Sequence, residues 1–170
     1  PLDKSKSSGL PPDWISIDRS TGELSAPTGG TNTTNFGYDA LRTPWRLALD
    51  AAWNKEPRAT AALKSFSLLA EEWKAKNTLA ATYTHDGEVV TAAETPAMYG
   101  GVIGYFMNTD PTAAQTIYQN KLQFLYDPGK NSWKNILSYY DDNWAWFGIA
   151  LYNNLLPNLT AGLPKSAFTQ

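Results

Sequence analysis

The residues of this chain best suited to chemistry are a tyrosine, an aspartate and an arginine ahead of a proline. Tyr38, Asp39 and Arg42 precede Pro44, and proline is favoured at the first position of a helix. We therefore expect the three polar side chains to converge near one helix N-terminus. The helix dipole and the arginine would both favour the charged form of Asp39, and Tyr38 can donate a hydrogen bond. This arrangement suits the rim of a catalytic site.

The same residues also have a purely structural interpretation. Aspartate is common near helix starts, and an arginine three residues later can be its surface partner. In that case Asp39 and Arg42 only stabilise the helix, and Trp45 belongs to the core. Spacing alone favours this interpretation without excluding the catalytic one.

The run from Tyr38 to Arg46 resembles a motif of a known enzyme family. Its pattern, Tyr-Asp-Ala-x-Arg-x-Pro-Trp-Arg, is similar to the second catalytic motif of glycoside hydrolase family 8, the inverting endo-glycanases. The resemblance covers most of residues 10–157, but only the latter half of such an enzyme. It implies an endo-acting hydrolase of a β-1,4-linked glucan, cellulose or mixed-linkage glucan. Asp39 would be the general base, with Tyr38 and Arg42 in support.

Inverting hydrolysis also needs a general acid, opposite the base and roughly 6.5 to 9.5 Å from it. In family 8 this acid is a glutamate of the first half, in a Ser-Glu-Gly-like motif that this sequence lacks. The resemblance therefore implies that the chain is a C-terminal portion. Its expected partners are a polysaccharide or oligosaccharide substrate and the N-terminal half of the same enzyme, in the same chain or as a separate one.

Several alternatives remain open at this point. Some family members, notably chitosanases, are thought to place a catalytic glutamate in an insertion ahead of the motif, which makes Glu23 the reserve candidate for the base. Endo-xylanase and chitosanase are the competing activities. A non-catalytic carbohydrate-binding helical domain is the alternative from a different class.

A second polar cluster opens the last predicted helix. Tyr139 and Tyr140 are suited to a sugar platform, because flat aromatic rings with polar tips can stack on sugars. The family similarly has tyrosine near this point of its cleft, so both are candidate substrate-binding residues. Asp141 and Asp142 follow in the first turn, where the helix dipole favours them.

Composition excludes several other classes of function. The 170 residues carry a net charge of -2 with no cluster of Lys and Arg, so a nucleic-acid-binding role is not expected. The sequence has no apolar run long enough for a membrane span, no cysteine, no metal-ligand spacing and no nucleotide-binding glycine motif. We expect no metal and no cofactor, a solvated turn position for the single histidine, His85, and a secreted or periplasmic location.

Proline marks the start of four of the five predicted helices, in most cases behind a good capping residue. The helices alternate between apolar on nearly all sides and apolar along one stripe. One β-hairpin is expected within residues 79–90, with Asp86-Gly87 in its turn. The predicted helices span residues 44–54, 57–76, 96–107, 111–126 and 139–155.

Alternation of buried and surface helices is typical of an α/α toroid, in which an outer ring of helices covers an inner ring. The resemblance implies an all-α fold, about half of an (α/α)6 barrel, forming part of a single catalytic domain. Residues 1–37 are expected to be a crossing segment, 38–157 the helices and 158–170 a tail. A free-standing five-helix bundle is the alternative, but it would leave apolar flanks of the inner helices exposed.

Overall fold

The computed structural model describes residues 8–159 and 161, in which six α-helices make up most of the regular structure. A π-helical turn, Tyr118–Leu122, and a 3₁₀ turn, Gln123–Leu125, directly follow the fifth helix. The helices are α1 (Arg42–Asn54), α2 (Pro57–Lys64), α3 (Ser67–Lys76), α4 (Pro96–Thr109), α5 (Pro111–Ile117) and α6 (Tyr139–Tyr152).

Three antiparallel hairpins connect or flank these helices in the described part of the chain, where the sequence predicts only one. The predicted hairpin lies between α3 and α4. The other two are a correction to that expectation; each has strands of only two residues, too short to give a clear alternating pattern. The pairs are β1 (Ser16–Ile17) with β2 (Leu24–Ser25), β3 (Thr82–Tyr83) with β4 (Val89–Thr91), and β5 (Tyr126–Asp127) with β6 (Ser132–Trp133).

Side-chain caps confirm most of the predicted helix starts. Thr95 accepts a hydrogen bond from the backbone of Met98 at 3.2 Å at the start of α4, and Glu56, Asp110 and Ser138 cap α2, α5 and α6 in the same way. The start of α1 differs, since the helix begins at Arg42 and has no side-chain cap. A backbone turn from Gly37 to Leu41 leads directly into this helix, so it begins two residues earlier than expected.

The predicted helix 57–76 is in fact two helices, α2 and α3, divided at Ser65 and Phe66. The Ser65 hydroxyl donates to the Ala62 carbonyl at 2.7 Å, a local bond that competes with continued α-helical hydrogen bonding. Phe66 turns into the core, where its ring lies 6.3 Å from that of Tyr105. The predicted helix 111–126 is likewise divided into α5 and the π and 3₁₀ turns, and α6 ends at Tyr152 rather than at residue 155.

Helix α4 lies in the middle of the inner layer, with α1 on one side. Gly101 of α4 packs against Leu41, and Gly104, one turn later, packs against Ala48 of α1. Because both contacts advance together along the two segments, α1 and α4 run in the same direction.

Helix α6 packs on the other side of α4 at very short range. A Cβ atom on Gly100 would lie 1.9 Å from the carbonyl oxygen of Trp144, and one on Gly148 would lie 2.5 Å from the Cα of Gly100. Further along, Gly104 packs against Leu151. The three inner helices are therefore parallel, and their N-termini lie at one face.

The remaining helices cover this inner layer from outside. Trp73 of α3, for example, packs with its ring 6.3 Å from Tyr99 and 6.1 Å from Phe106 of α4. Residues 97–106 of α4 are all buried, whereas Trp146 of α6 is 54% exposed. Inner and outer helices alternate as predicted, and the chain forms part of an α/α barrel, with α4 enclosed and α6 keeping an exposed side.

The contact between Gly100 and α6 gives a direct test of this packing. Gly100→Ala should lower the free energy of unfolding by at least about 3 kcal/mol, because the obstructing atoms are backbone and overpacking commonly costs 1–3 kcal/mol where side chains can adjust. Gly129→Ala is the control, since the nearest atom to its added Cβ is a flexible carboxylate oxygen 3.3 Å away. Equal denaturation midpoints for the two variants would contradict the close helix contact.

Glu94 ties the start of α4 to the π-helical turn. It accepts hydrogen bonds from the Tyr99 hydroxyl and the Lys121 ammonium group, while the Tyr99 oxygen accepts from the backbone of Leu79 at 3.0 Å. Burial acts to raise the pKa of Glu94, but the bonds from Lys121 and Tyr99 outweigh it and lower the pKa from its ordinary 4.5. Because the folded-state pKa is depressed, the resulting stability is present above pH 4.5 and is lost as the pH falls through the lowered value.

We therefore expect Glu94→Gln to flatten the pH dependence of unfolding below pH 4.5. The effect should stay within the ~1 kcal/mol typical of partly exposed ion pairs. Urea denaturation at several acidic pH values measures it, with Glu88→Gln, an exposed glutamate of the hairpin turn, as the control. An unchanged pH dependence in Glu94→Gln would show that the cluster does not contribute.

Candidate functional site

Asp39 is held at both of its carboxylate oxygens. Its Oδ1 lies 2.6 Å from a guanidinium nitrogen of Arg42, and its Oδ2 accepts a hydrogen bond of 3.1 Å from the indole nitrogen of Trp14. The Asp39 side chain is nevertheless 39% exposed. A charged carboxylate is thus fixed in place by two donors while a third partner, such as water, can still reach it.

The backbone around Asp39 is held by a second carboxylate. One oxygen of Asp13, Oδ1, accepts hydrogen bonds from the backbone nitrogens of Gly37 at 3.1 Å, Asp39 at 3.0 Å and Ala40 at 2.7 Å. These donors precede α1 and belong to the exposed N–H groups that a helix entry must satisfy. Asp13 therefore fixes the turn that presents Asp39.

The turn has little room for other residues. A Cβ atom on Gly37 would lie 2.8 Å from Oδ2 of Asp13, so glycine allows the carboxylate its close approach. The preceding residue, Phe36, exchanges two backbone hydrogen bonds with Tyr83, and both side chains are fully buried. The turn is thus anchored on one side to the Asp13 carboxylate and on the other to the hairpin of β3 and β4.

The electrostatic state of Asp13 reflects opposing influences. Burial raises its pKa above 3.8, the three backbone N–H groups act to lower it, and the nearby Asp39 carboxylate raises it; the net direction is upward. All three backbone donors point at a single oxygen of Asp13. This geometry suits a structural acceptor rather than a group that reaches out to a substrate.

Arg42 is connected to the start of α6 through Tyr140. Its Nε donates to the Tyr140 hydroxyl at 3.4 Å, and that hydroxyl donates to the Tyr38 carbonyl. The rings of Tyr38 and Tyr140 meet edge to face at 5.3 Å. The hydrogen bond to Tyr140 raises the pKa of Arg42, and burial raises that of Tyr140, so the arginine stays charged and the phenol stays protonated.

The structure therefore brings together four of the residues singled out from the sequence: Tyr38, Asp39, Arg42 and Tyr140. Tyr139 is adjacent to Tyr140, but this residue is 85% exposed. Glu23 lies in the first hairpin and is exposed. Its carbonyl accepts from the backbone nitrogen of Asp18, its own backbone nitrogen donates to the Thr21 hydroxyl, and no described hydrogen bond or ion pair joins it to Asp39. The roles of all these residues remain predictions.

Two residues of the site, Asp13 and Trp14, were missed by sequence reasoning. Both fall in a short alternating run that suggests only a strand, and the actual strand, β1, begins at Ser16. Their contacts with residues 37–40 span at least 24 positions along the chain. The available signal was the Asp-Trp pair itself, which was interpreted only as part of the crossing segment. Long loops without regular structure in compact domains are often functional.

Two other residues noted in the sequence, His85 and Asp141, make specific contacts in the structure. His85 is half-buried, with its Nδ1 2.9 Å from the Thr34 hydroxyl and its Nε2 3.3 Å from the Asp86 carboxylate; it is not simply a solvated turn residue. Asp141 joins the starts of α4 and α6, because its carboxylate accepts from the backbone of Ala97 at 3.2 Å.

Among the described residues, no cluster of three or more His, Cys, Asp or Glu could hold a metal ion, and no helix is long and apolar enough to cross a membrane.

The chain matches a model of a known protein family. A family model described as "Glycosyl hydrolases family 8" matches residues 2–146. The chain belongs to this family. Among curated protein sequences no match was found.

Solved structures show the fold of this family 8 chain. It is similar to a β-1,3-1,4-glucanase from Paenibacillus sp. X4, with a TM-score of 0.65 and 21% identity over 87% of this chain. It is also similar to an endo-1,4-D-glucanase from Vibrio fischeri ES114, with a TM-score of 0.63 and 16% identity over 91% of the chain. A family 8 protein from Teredinibacter turnerae, solved with xylobiose, has a TM-score of 0.51 and 22% identity over 69% of the chain.

The present chain spans only part of each of these proteins: 38% of the Paenibacillus chain, 41% of the Vibrio chain and 28% of the Teredinibacter chain. At these identities the likeness establishes the fold alone. It supports a partial α/α barrel over the free-standing five-helix bundle.

The role of Asp13 can be tested through stability. Asp13→Ala would leave three backbone N–H groups without their acceptor, and we expect the free energy of unfolding to fall by about 2–3 kcal/mol, in line with the cost of unsatisfied buried donors. Asp13→Asn keeps an acceptor oxygen and should lose less. Chemical denaturation gives the values.

Asp18→Ala is the matched control for that experiment. Asp18 also accepts backbone hydrogen bonds, from Ser20 and Thr21, and hydrogen bonds with these residues, first the Ser20 hydroxyl, lower its pKa to about 2. Its turn is exposed, so water can replace the lost acceptor and the variant should lose much less stability. A loss as large as that of Asp13→Ala would contradict the conclusion that the Asp13 carboxylate fixes the turn before α1.

Proposed function

We propose that the protein is an endo-acting, inverting glycoside hydrolase that cleaves a β-1,4-linked glucan, with Asp39 as its general base. The observation that carries the proposal is the state of Asp39: both of its oxygens accept from fixed donors, one of them cationic, while 39% of the side chain stays open. A general base must be charged, oriented and accessible to water. Family membership and the Tyr38–Arg46 motif support the same role.

In the proposed reaction, Asp39 removes a proton from a water molecule as the water oxygen attacks the anomeric carbon. The bond from that carbon to the glycosidic oxygen breaks, and a general acid gives a proton to the departing oxygen. Attack from the face opposite the leaving group inverts the anomeric configuration. The product therefore carries the hydroxyl in the α configuration when the substrate linkage is β.

The general acid is proposed to come from another part of the protein. Of the glutamates in or next to the described helices, three are engaged elsewhere: Glu94 with Lys121 and Tyr99, Glu56 with Arg58 and Glu72 with Lys76. Glu71 is exposed on the outer helix α3. The comparison structures have more than twice the length of this chain. A glutamate from the remaining part of such a barrel, facing the N-termini of the inner helices, would complete the pair of carboxyl groups.

Exposed aromatic rings near Asp39 suit a sugar chain. Tyr38 and Trp14 are both partly exposed next to the carboxylate, and Tyr139 is almost fully exposed at the start of α6. Aromatic rings of this kind offer apolar faces for pyranose rings together with polar edges for hydroxyl groups. We propose Tyr139 and Tyr140 as substrate-binding residues, although the Tyr140 hydroxyl already holds Arg42 and Tyr38. A polymeric substrate would also place the enzyme outside the cytoplasm, in the periplasm or the medium.

The choice of glucan follows the two comparison structures of highest TM-score given above, which are described as glucanases. Release of reducing ends from cellulose derivatives, mixed-linkage glucan, xylan and chitosan compares the candidate substrates directly. Preference for xylan or chitosan would instead indicate an endo-xylanase or a chitosanase of the same family. Oligosaccharide binding without any hydrolysis by the complete protein would favour a carbohydrate-binding domain instead.

The base assignment predicts that Asp39→Asn in the complete protein lowers kcat by about 10² to 10⁴, the usual contribution of such a group. Oligosaccharide binding should survive, because asparagine is nearly isosteric and still accepts a hydrogen bond. Steady-state kinetics and calorimetric binding measure the two effects. Retention of more than about a tenth of the wild-type rate would be incompatible with a base role.

Glu23→Gln is the matched control, since it changes an exposed carboxylate in the loop ahead of the motif. We expect its kcat to stay close to wild type. Loss of activity in Glu23→Gln with retention in Asp39→Asn would transfer the base assignment to Glu23. Proton NMR of the first product tests inversion separately, and a β-anomer as the initial product would contradict it.

A further inference from the structure

We propose that Trp14 is a positioning residue for the general base, holding the Asp39 carboxylate in one orientation through its indole N–H. The inference rests on the proposed base role of Asp39 and extends it to a residue outside the motif. The contact that carries it is the 3.1 Å hydrogen bond from Trp14 Nε1 to Asp39 Oδ2. Arg42 holds the other oxygen, Oδ1, at 2.6 Å.

Two donors on different oxygens define the plane of a carboxylate, whereas one donor leaves it free to rotate. Arg42 lies three residues after Asp39 and its side chain is itself partly exposed, so it can follow a rotation of the carboxylate. Trp14 reaches Asp39 from a distant part of the chain and opposes that rotation. Catalytic rates are sensitive to such orientation, because misplacement of a reacting group by about 1 Å can cost roughly 10²-fold.

The backbone of Trp14 is well fixed for this purpose. Its nitrogen donates to the Thr33 carbonyl at 3.1 Å, and the nitrogen of Asp13 donates to the Asn35 carbonyl at 2.6 Å. The Asp13 side chain in turn binds the backbone of Asp39. Asp13 thus holds the proposed base at its backbone, and Trp14 holds it at its carboxylate.

The indole group has the chemical properties that this role needs. It is a donor only and does not ionise in the working range of an enzyme, so it cannot compete with Asp39 for the proton of the attacking water. Trp14 is also 48% exposed, so core packing does not account for its position. Its N–H is therefore the feature to remove.

Other charged and titratable groups also act on Asp39. Arg42 pairs with it, the Asp13 carboxylate lies behind the turn, and the Tyr140 hydroxyl is bound to Arg42. Of the two donors to the Asp39 carboxylate, Trp14 is the one without a charge. Its removal should therefore leave these charges in place and change only how well the ionised carboxylate is hydrogen-bonded and oriented.

Trp14→Phe in the complete protein tests the proposal, because phenylalanine keeps an aromatic ring and removes the N–H. We expect kcat to fall by about 10- to 100-fold while KM changes less than about threefold. Circular dichroism melting confirms that the variant is folded.

Trp53→Phe is the matched control. The indole nitrogen of Trp53 also donates a hydrogen bond, of 3.3 Å, to the carbonyl of Leu156, but it lies in the last turn of α1, at the opposite end from the site. This variant should keep the wild-type kcat and KM. A shift as large as that of Trp14→Phe would mean that general loss of stability explains both results and would overturn the proposal.

The double variant Trp14→Phe with Asp39→Asn shows whether Trp14 acts through the base. Once the base is removed, loss of Trp14 should cost almost nothing further, because effects of residues that act as a unit are not additive. A full additional loss in the double variant would refute positioning. So would a rise in KM alone for Trp14→Phe, which would instead identify a sugar-stacking ring.

These outcomes are separable from failure of the proposed function. If Asp39→Asn remains active, the base assignment itself is wrong and the inference falls with it. If Asp39→Asn is inactive and Trp14→Phe has wild-type kcat, Asp39 stays the base and only the role of Trp14 is refuted.

Discussion

The direct backbone contact between α4 and α6 at Gly100 and Gly148 is the constraint on which the rest of the structure depends. With no side chain between them, the two helices approach closely enough for the Asp141 carboxylate to bind the backbone of Ala97. Gly101 and Gly104 give α1 a similar approach to α4. Three parallel helices are thereby held with their N-termini together, and Tyr38 and Arg42 come within reach of Tyr140 across the α1 and α6 starts.

The site uses this alignment in a layered way. Backbone contacts place the helix starts, the Asp13 carboxylate fixes the turn before α1, and Arg42 and Trp14 then hold the carboxylate of Asp39. Each layer is made by a different type of interaction: close packing, hydrogen bonds to backbone N–H groups, and hydrogen bonds to a charged side chain. The orientation of the Asp39 carboxylate therefore depends on the helix packing and the Asp13 turn as well as on its own two hydrogen-bond donors.

Local signals in the sequence were sufficient for much of this. Proline after a capping residue located the starts of α2, α4 and α5, and the alternation of buried and surface helices predicted the layers. The same signals could not show the break at Phe66, because it depends on a ring packing against Tyr105 in another helix. Asp13 and Trp14 were missed for the same reason, since their partners are set by tertiary structure and not by periodicity.

The backbone hydrogen bonds from Asp13 to Asn35 and from Trp14 to Thr33 have a consequence for how the sequence of such a protein can vary. These two hydrogen bonds close the base of a loop that contains β1 and β2. The entropic cost of closing a longer loop grows only slowly with its length. Insertions or deletions between residues 15 and 32 would therefore leave Asp13, Trp14 and Asp39 in register. The loop can change its size and surface while the turn that presents Asp39 keeps its contacts, which makes the loop a natural point of divergence between related chains.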